Sequence, residues 1–137
     1  MKERVIALGF FDGVHLGHGA LLRRAAEEAA LRGCTPAVFT FDRPPKEVVT
    51  GVPCPLINSP EDRRDLVRRL YRIQDVLMVP FDREMMTTPW DDFIVRILVG
   101  RYHAVHLVAG HDHHFGHRNQ GTPELLAQKL SLIHISE

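Results

Sequence analysis

"GFFDGVHLGHGALL", residues 9 to 22, joins two patterns at a single point. Before it, the apolar run "RVIAL" (4 to 8) reads as a buried strand. After it, Ala and Leu recur at helical spacing over 18 to 32, and Gly33 stands where a helix C-cap is expected. A strand, a glycine-containing turn and a helix, in that order, open a parallel α/β sheet. The turn carries His15 and His18, three residues apart with Gly17 between them. A helix N-terminus that follows a strand offers unpaired N–H groups and a partial positive charge, which suits an anion. At i and i+3 the two imidazoles share one face and add side-chain donors, while Gly17 lets a ligand approach the backbone closely. Asp12 and Gly13 make the turn that leads the strand into this loop.

The alternation continues outward. "PAVFTF" (36 to 41), "DVLMVPF" (75 to 81) and "AVHLVAG" (104 to 110) read as further buried strands. "SPEDRRDLVRRL" starts a helix with Ser59 as N-cap, Pro60 at the first helical position and Asp62 three residues after the cap. "TPWDDFIVRIL" repeats the scheme with Thr88, Pro89 and Asp91, and Thr122 with Pro123 opens a last helix. The fold class is α/β, a doubly wound, Rossmann-like parallel sheet, in which ligands sit beyond the carboxyl ends of the strands. Trp90 and Phe93 read as core. The arginines of "RRDLVRRL" read as a solvated face with no partner.

Composition narrows the partners. The 137 residues, 45% of them hydrophobic, suit one globular domain. Seventeen basic residues balance seventeen acidic ones, so no net field draws in nucleic acid or an anionic membrane. No apolar stretch reaches the roughly 18 residues of a membrane helix, and "MKERVIALGF" does not read as a secretion signal; a cytoplasmic protein is expected. Cys34 and Cys54 form neither a disulfide framework nor a thiolate zinc site and are expected to be free thiols. "GVHLGH" contains no G-K-[ST], which argues against a Walker-type kinase.

The chemistry such a histidine pair would serve is attack on the α-phosphate of a nucleoside triphosphate. Negative charge builds there on the phosphoryl oxygens, and one oriented donor is worth about 10²- to 10³-fold in rate. A second substrate that is itself a phosphate is already ionised, so positioning and electrostatics suffice without an enzyme nucleophile.

"GFFDGVHLGH" resembles the HxGH signature of the nucleotidylyltransferase superfamily, and its F-D-G-x-H-x-G-H form resembles the adenylyltransferase domain of prokaryotic FAD synthetases. Three further blocks add to the likeness. "FTFDRPP" (39 to 45) resembles the family's T-F-D-P-x-P block, with Asp42 and Pro45 matching and Arg43 in place of the first proline. "PLINSPEDR" (55 to 63) resembles the segment leading into the next helix. "AGHDHHFGHRNQGTPELL" (109 to 126) resembles the G-x-D-F-x-F-G block, with Gly110, Asp112, Phe115, Gly116 and Gly121 matching and His113 where an aromatic is usual.

The resemblance implies a nucleotidylyltransferase-type fold that transfers AMP from ATP to FMN, with Mg²⁺ accompanying the ATP. By the same resemblance His15 and His18 are catalytic, and Gly9, Phe10, Asp12, Gly13, Gly17, Asp42 and Pro45 bind ATP. Asp112 and Phe115 face FMN; no protein metal site is expected. The family's S-S-T-x-x-R block and its C-terminal riboflavin kinase domain are not in these 137 residues. The kinase domain is expected in the full-length protein.

Other readings stay open from sequence. "HDHHFGH" (111 to 117) puts four histidines and an aspartate within seven residues, and its D-H-H string suits Zn²⁺ or Mn²⁺ in a metal-dependent phosphoesterase. That reading lacks an acidic cluster near the first strand and leaves the HxGH glycine unexplained. A non-catalytic flavin or nucleotide binder is a third possibility, whereas a tRNA synthetase would carry a basic field. Finally, "LSLIHISE" (130 to 137) back-translates in frame onto a transposon-end adapter used in preparing DNA libraries. The expected domain is therefore 1 to 129, incomplete at its C-terminus, followed by a non-native tail.

Overall fold

A computed structural model describes residues 2–9, 16–42, 50–52, 59–89, 92–109 and 134–136, of which 16–18, 60 and 134–136 by their backbone alone. At its centre lie five parallel strands: β1 (Arg4–Leu8), β2 (Thr35–Phe41), β3 (Asp75–Val79), β4 (Ala104–Ala109) and β5 (His134–Ser136). They stand in the order β3-β2-β1-β4-β5. The chain steps from β1 outward to β3 and then crosses to the far side of β1, so the sheet changes direction between β1 and β4. This is the doubly wound arrangement expected from the sequence.

Helices cover both faces: α1 (Leu16–Arg32) and α2 (Pro60–Tyr71) one of them, α3 (Arg83–Thr87) and α4 (Phe93–Arg101) the other. The strand period of two sorts the core. Val5, Ala7, Val38 and Val108 meet Leu22, Ala25 and Ala29 of α1 and Val67 of α2. Ile6, Leu8, Phe39, Leu107 and Ala109 meet Phe93, Ile94 and Leu98 of α4. Buried on both sides, the central strands read as unbroken apolar runs rather than alternating ones. Phe39 anchors the second layer, edge-on to Phe41, Phe93 and Tyr102 with ring centroids 5.5, 5.4 and 6.1 Å apart.

Local signals set most helix ends. Ser59 Oγ accepts from the Asp62 N–H at 3.1 Å, with Pro60 in the first helical position, as its sequence predicts. α1 stops before Gly33, whose φ of +67° is the left-handed conformation glycine takes without strain. It starts at Leu16, two residues earlier than the apolar spacing suggests, so Gly17 and His18 lie inside its first turn.

The region after β3 differs from expectation. Asp82 caps a short helix of its own, accepting from the Met85 N–H at 2.9 Å, and Thr88 closes that helix. α4 follows from Phe93 with the wide π-type winding, visible in the Tyr102 N–H bonded to Ile97 O at 3.1 Å. Phe93 is core, as expected; Trp90 and the helix expected after Thr122 lie outside the described residues. Although the sequence sets 130–137 apart from the fold, His134–Ser136 pair in parallel with β4, His134 opposite His106. Among the described residues, no helix is long and apolar enough to cross a membrane.

Candidate nucleotide-binding site

Three motif-bearing segments leave the sheet at one end. β1 ends at Leu8, which pairs with Phe39 of β2 on one side and Ala109 of β4 on the other. The HxGH segment therefore departs between the segment that follows β2 and the one that follows β4. The crevice at the carboxyl ends of β1 and β4, where the winding changes direction, is the general ligand position of such sheets. α1 starts at Leu16, the next element after β1, so the unpaired N–H groups of its first turn lie at this end.

Of the residues singled out in the sequence, Gly9 extends the β1–β2 ladder, donating its N–H to Phe39 O at 3.3 Å. Asp42 lies at the end of β2; its N–H donates to Val79 O and its Oδ1 accepts the Phe81 N–H, both at 3.1 Å. That carboxylate thus ties the exit of β2 to the exit of β3. Gly17 and His18 lie in the first turn of α1 by backbone. Phe10, Asp12, Gly13, His15, Pro45, Asp112 and Phe115 lie outside the described residues, as does the His-rich segment 111–117.

One residue at this end was assigned to solvent by its sequence. Arg63, in the first turn of α2, is 1% exposed. Its Nη1 donates to Thr40 Oγ1 at 3.2 Å, and its Nη2 donates to Phe41 O at 2.9 Å and Asp42 O at 3.2 Å. The reading of "RRDLVRRL" as wholly solvated is therefore corrected at Arg63, because the oxygens that receive it come from the last two residues of β2 and the residue after it. A signal was present: Arg63 shares a helical row with Val67 and Tyr71, and Val67 is buried.

A second close approach fixes the start of α1. A Cβ on Gly19 would lie 2.6 Å from the Tyr71 hydroxyl oxygen, so the tyrosine side chain, at the end of α2, would have to shift to admit a larger residue there. Arg23, one turn on, covers the Tyr71 ring at 5.8 Å from its centroid.

A sequence profile of the family described as FAD synthetase matches residues 1–136. The chain belongs to the FAD synthetase family. The match spans both the HxGH segment and the His-rich segment, and nothing found supports a phosphoesterase. Among its relatives, the bifunctional riboflavin kinase/FMN adenylyltransferase of Listeria monocytogenes is 33% identical over 128 residues, covering 92% of this chain and 40% of that protein. The enzyme of the same description from Bacillus subtilis is 33% identical over 130 residues, covering 93% and 40%. That from Escherichia coli K12 is 34% identical over 130 residues, covering 93% and 41%. The chain thus spans about two fifths of the length of these curated relatives. Among solved structures, a Streptococcus pneumoniae protein described as a macrolide-efflux protein superposes with a TM-score of 0.83 at 26% identity, covering 98% of this chain and 46% of that one. That structure shares the doubly wound sheet read from the sequence.

Proposed function

We propose that this FAD synthetase domain transfers AMP from ATP to FMN, forming FAD and pyrophosphate. The observation that carries the reading is the common origin of the three motif segments: they depart from adjacent parallel strands at the end of the sheet where the winding reverses. ATP is taken as its Mg²⁺ complex, the ion being held mainly by phosphate oxygens and water.

In the proposed reaction an FMN phosphate oxygen attacks the α-phosphorus of ATP, and the bond from that phosphorus to the bridging oxygen breaks, releasing pyrophosphate. The nucleophile is already an anion, so no general base is needed. His15 and His18, with the N–H groups of the first turn of α1, stabilise the charge that grows on the phosphoryl oxygens. Gly9, Phe10, Asp12, Gly13 and Gly17 shape the loop around ATP, with Asp42 and Pro45 beside it; Asp112 and Phe115 face the flavin or its phosphate. In the natural protein the domain is a cytoplasmic unit joined to a C-terminal riboflavin kinase domain, with residues 130–137 a non-native tail.

Incubation of the chain with FMN, ATP and Mg²⁺, followed by chromatographic separation of flavins, tests the reading. Formation of FAD with release of pyrophosphate is the expected result. Binding of ATP and FMN without FAD would make the chain a nucleotide- and flavin-binding unit, and binding of neither would overturn the proposal.

A further inference from the structure

Arg63 is the largest side chain in the described molecule to be shut off from solvent, although its helix neighbours Glu61, Asp62 and Asp65 are exposed. Removing a cation from water is costly unless its donors are met, and an apolar side chain of similar volume is often as stable in its place or more so. Packing alone therefore does not call for arginine at this position. The guanidinium meets three consecutive residues, Thr40 by its hydroxyl and Phe41 and Asp42 by their carbonyls. A rigid planar fork that meets several oxygens fixes direction as well as distance. Asp42 is gripped from the other side by its bonds to Val79 O and the Phe81 N–H. The exit of β2 is thus clamped between α2 and the segment that follows β3.

We propose that Arg63 is a positioning residue for nucleotide binding, its guanidinium fixing the course of the backbone at Phe41–Asp42 and through it the ATP side of the site. The inference rests on the adenylyl-transfer reading above. It assigns Arg63 no contact with substrate. The flavin side is assigned to the segment that follows β4, on the far side of β1 from this clamp, so FMN binding is expected to be spared.

Calorimetric titration of the chain with Mg²⁺–ATP and, separately, with FMN tests the inference on Arg63→Met, Arg63→Lys and Thr40→Val. Loss of charge-assisted bonds in Arg63→Met weakens ATP binding by about tenfold and leaves FMN binding within about twofold. Thr40→Val, which removes one neutral acceptor and spares the fold if Arg63→Met does not, weakens ATP by about threefold. Arg63→Lys keeps the charge but not the fork and stays well short of wild-type ATP affinity. Equal weakening of ATP and FMN overturns the inference in favour of a purely structural role; full rescue by lysine overturns it in favour of charge alone.

Amide hydrogen exchange supplies a readout independent of nucleotide. In Arg63→Met the Asp42 and Phe81 amides exchange about tenfold faster while those of Ile6 and Val38 keep their protection. Unchanged exchange at Asp42 and Phe81 removes the clamp whatever the titrations show. An unmutated chain that binds no ATP overturns the adenylyl-transfer reading and the nucleotide role with it, whereas one that binds ATP as tightly with Arg63→Met as without overturns this inference alone.

Discussion

The two ends of the sheet treat charge in opposite ways. At the amino end Asp75, opening β3, accepts from Arg4 Nε at 3.1 Å and Lys2 Nζ at 3.3 Å, and Arg4 Nη1 also donates to Tyr102 O at 2.9 Å. Cation meets anion there, partly in water. At the carboxyl end the guanidinium of Arg63 lies fully buried and donates to a hydroxyl and two backbone carbonyls. The first arrangement ties β1, β3 and the segment before β4 together; the second meets the backbone where β2 ends, beside β1, the strand that precedes the HxGH segment. Similar chemistry thus serves cohesion at one end and orientation at the other.

The core between the ends supports both, and its loss gives the largest effect. Phe39→Ala, which removes the ring against Phe41, Phe93 and Tyr102, costs about 3–5 kcal/mol, read as a lowered denaturant midpoint. His18→Ala tests the carboxyl end alone: kcat for FAD formation falls about 10²-fold or more with an unchanged Tm. An unchanged kcat would remove His18 from the proposed mechanism and with it the functional half of the comparison.

Smaller effects separate packing from chemistry. Gly19→Ala drives a Cβ into the Tyr71 hydroxyl and costs about 1 kcal/mol of stability. In a Tyr71→Phe background the cost of Gly19→Ala is reduced, which a double-mutant cycle by denaturant unfolding will show. If the cost persists in full, the hydroxyl is not what makes residue 19 a glycine.

The amino end supplies the smallest effect and a pH signature. Burial pushes the Asp75 carboxyl upward, but the hydrogen bonds and charges of Arg4 and Lys2 outweigh it and hold the group below the usual carboxylate range. Its folded-state pKa being the lower one, the carboxylate contributes stability above its unfolded value, near pH ~3.9, and loses it as the pH falls through the folded value. Asp75→Asn should cost about 0.2–1 kcal/mol at neutral pH, flatten the acid limb of the stability profile and leave ATP affinity unaltered. A change in ATP affinity would show that the two ends are coupled.

Most of the fold was legible in the sequence because its signals are local. The apolar bursts at 4–8 and 104–109, the cap at Ser59–Pro60 and the stop at Gly33 each depend on residues within one turn or one strand. The region 82–101 was less legible. Asp82 competes with Thr88 as a helix start, and the wide winding of α4 has no compositional mark.

By itself the sequence determined the alternation of strands and helices and the parallel sheet this requires, with His18 where the first helix opens. Periodicity and capping set these features, and both act over a few residues. Tertiary structure alone decided that Arg63 faces inward and that residue 19 lies against the Tyr71 hydroxyl. The acceptor of Arg63, Thr40, is 23 residues away along the chain, and Tyr71 reaches Gly19 from a different helix. A helix shows which of its residues share a row; only the strand packed against that row supplies the oxygens that make burial of a cation tolerable.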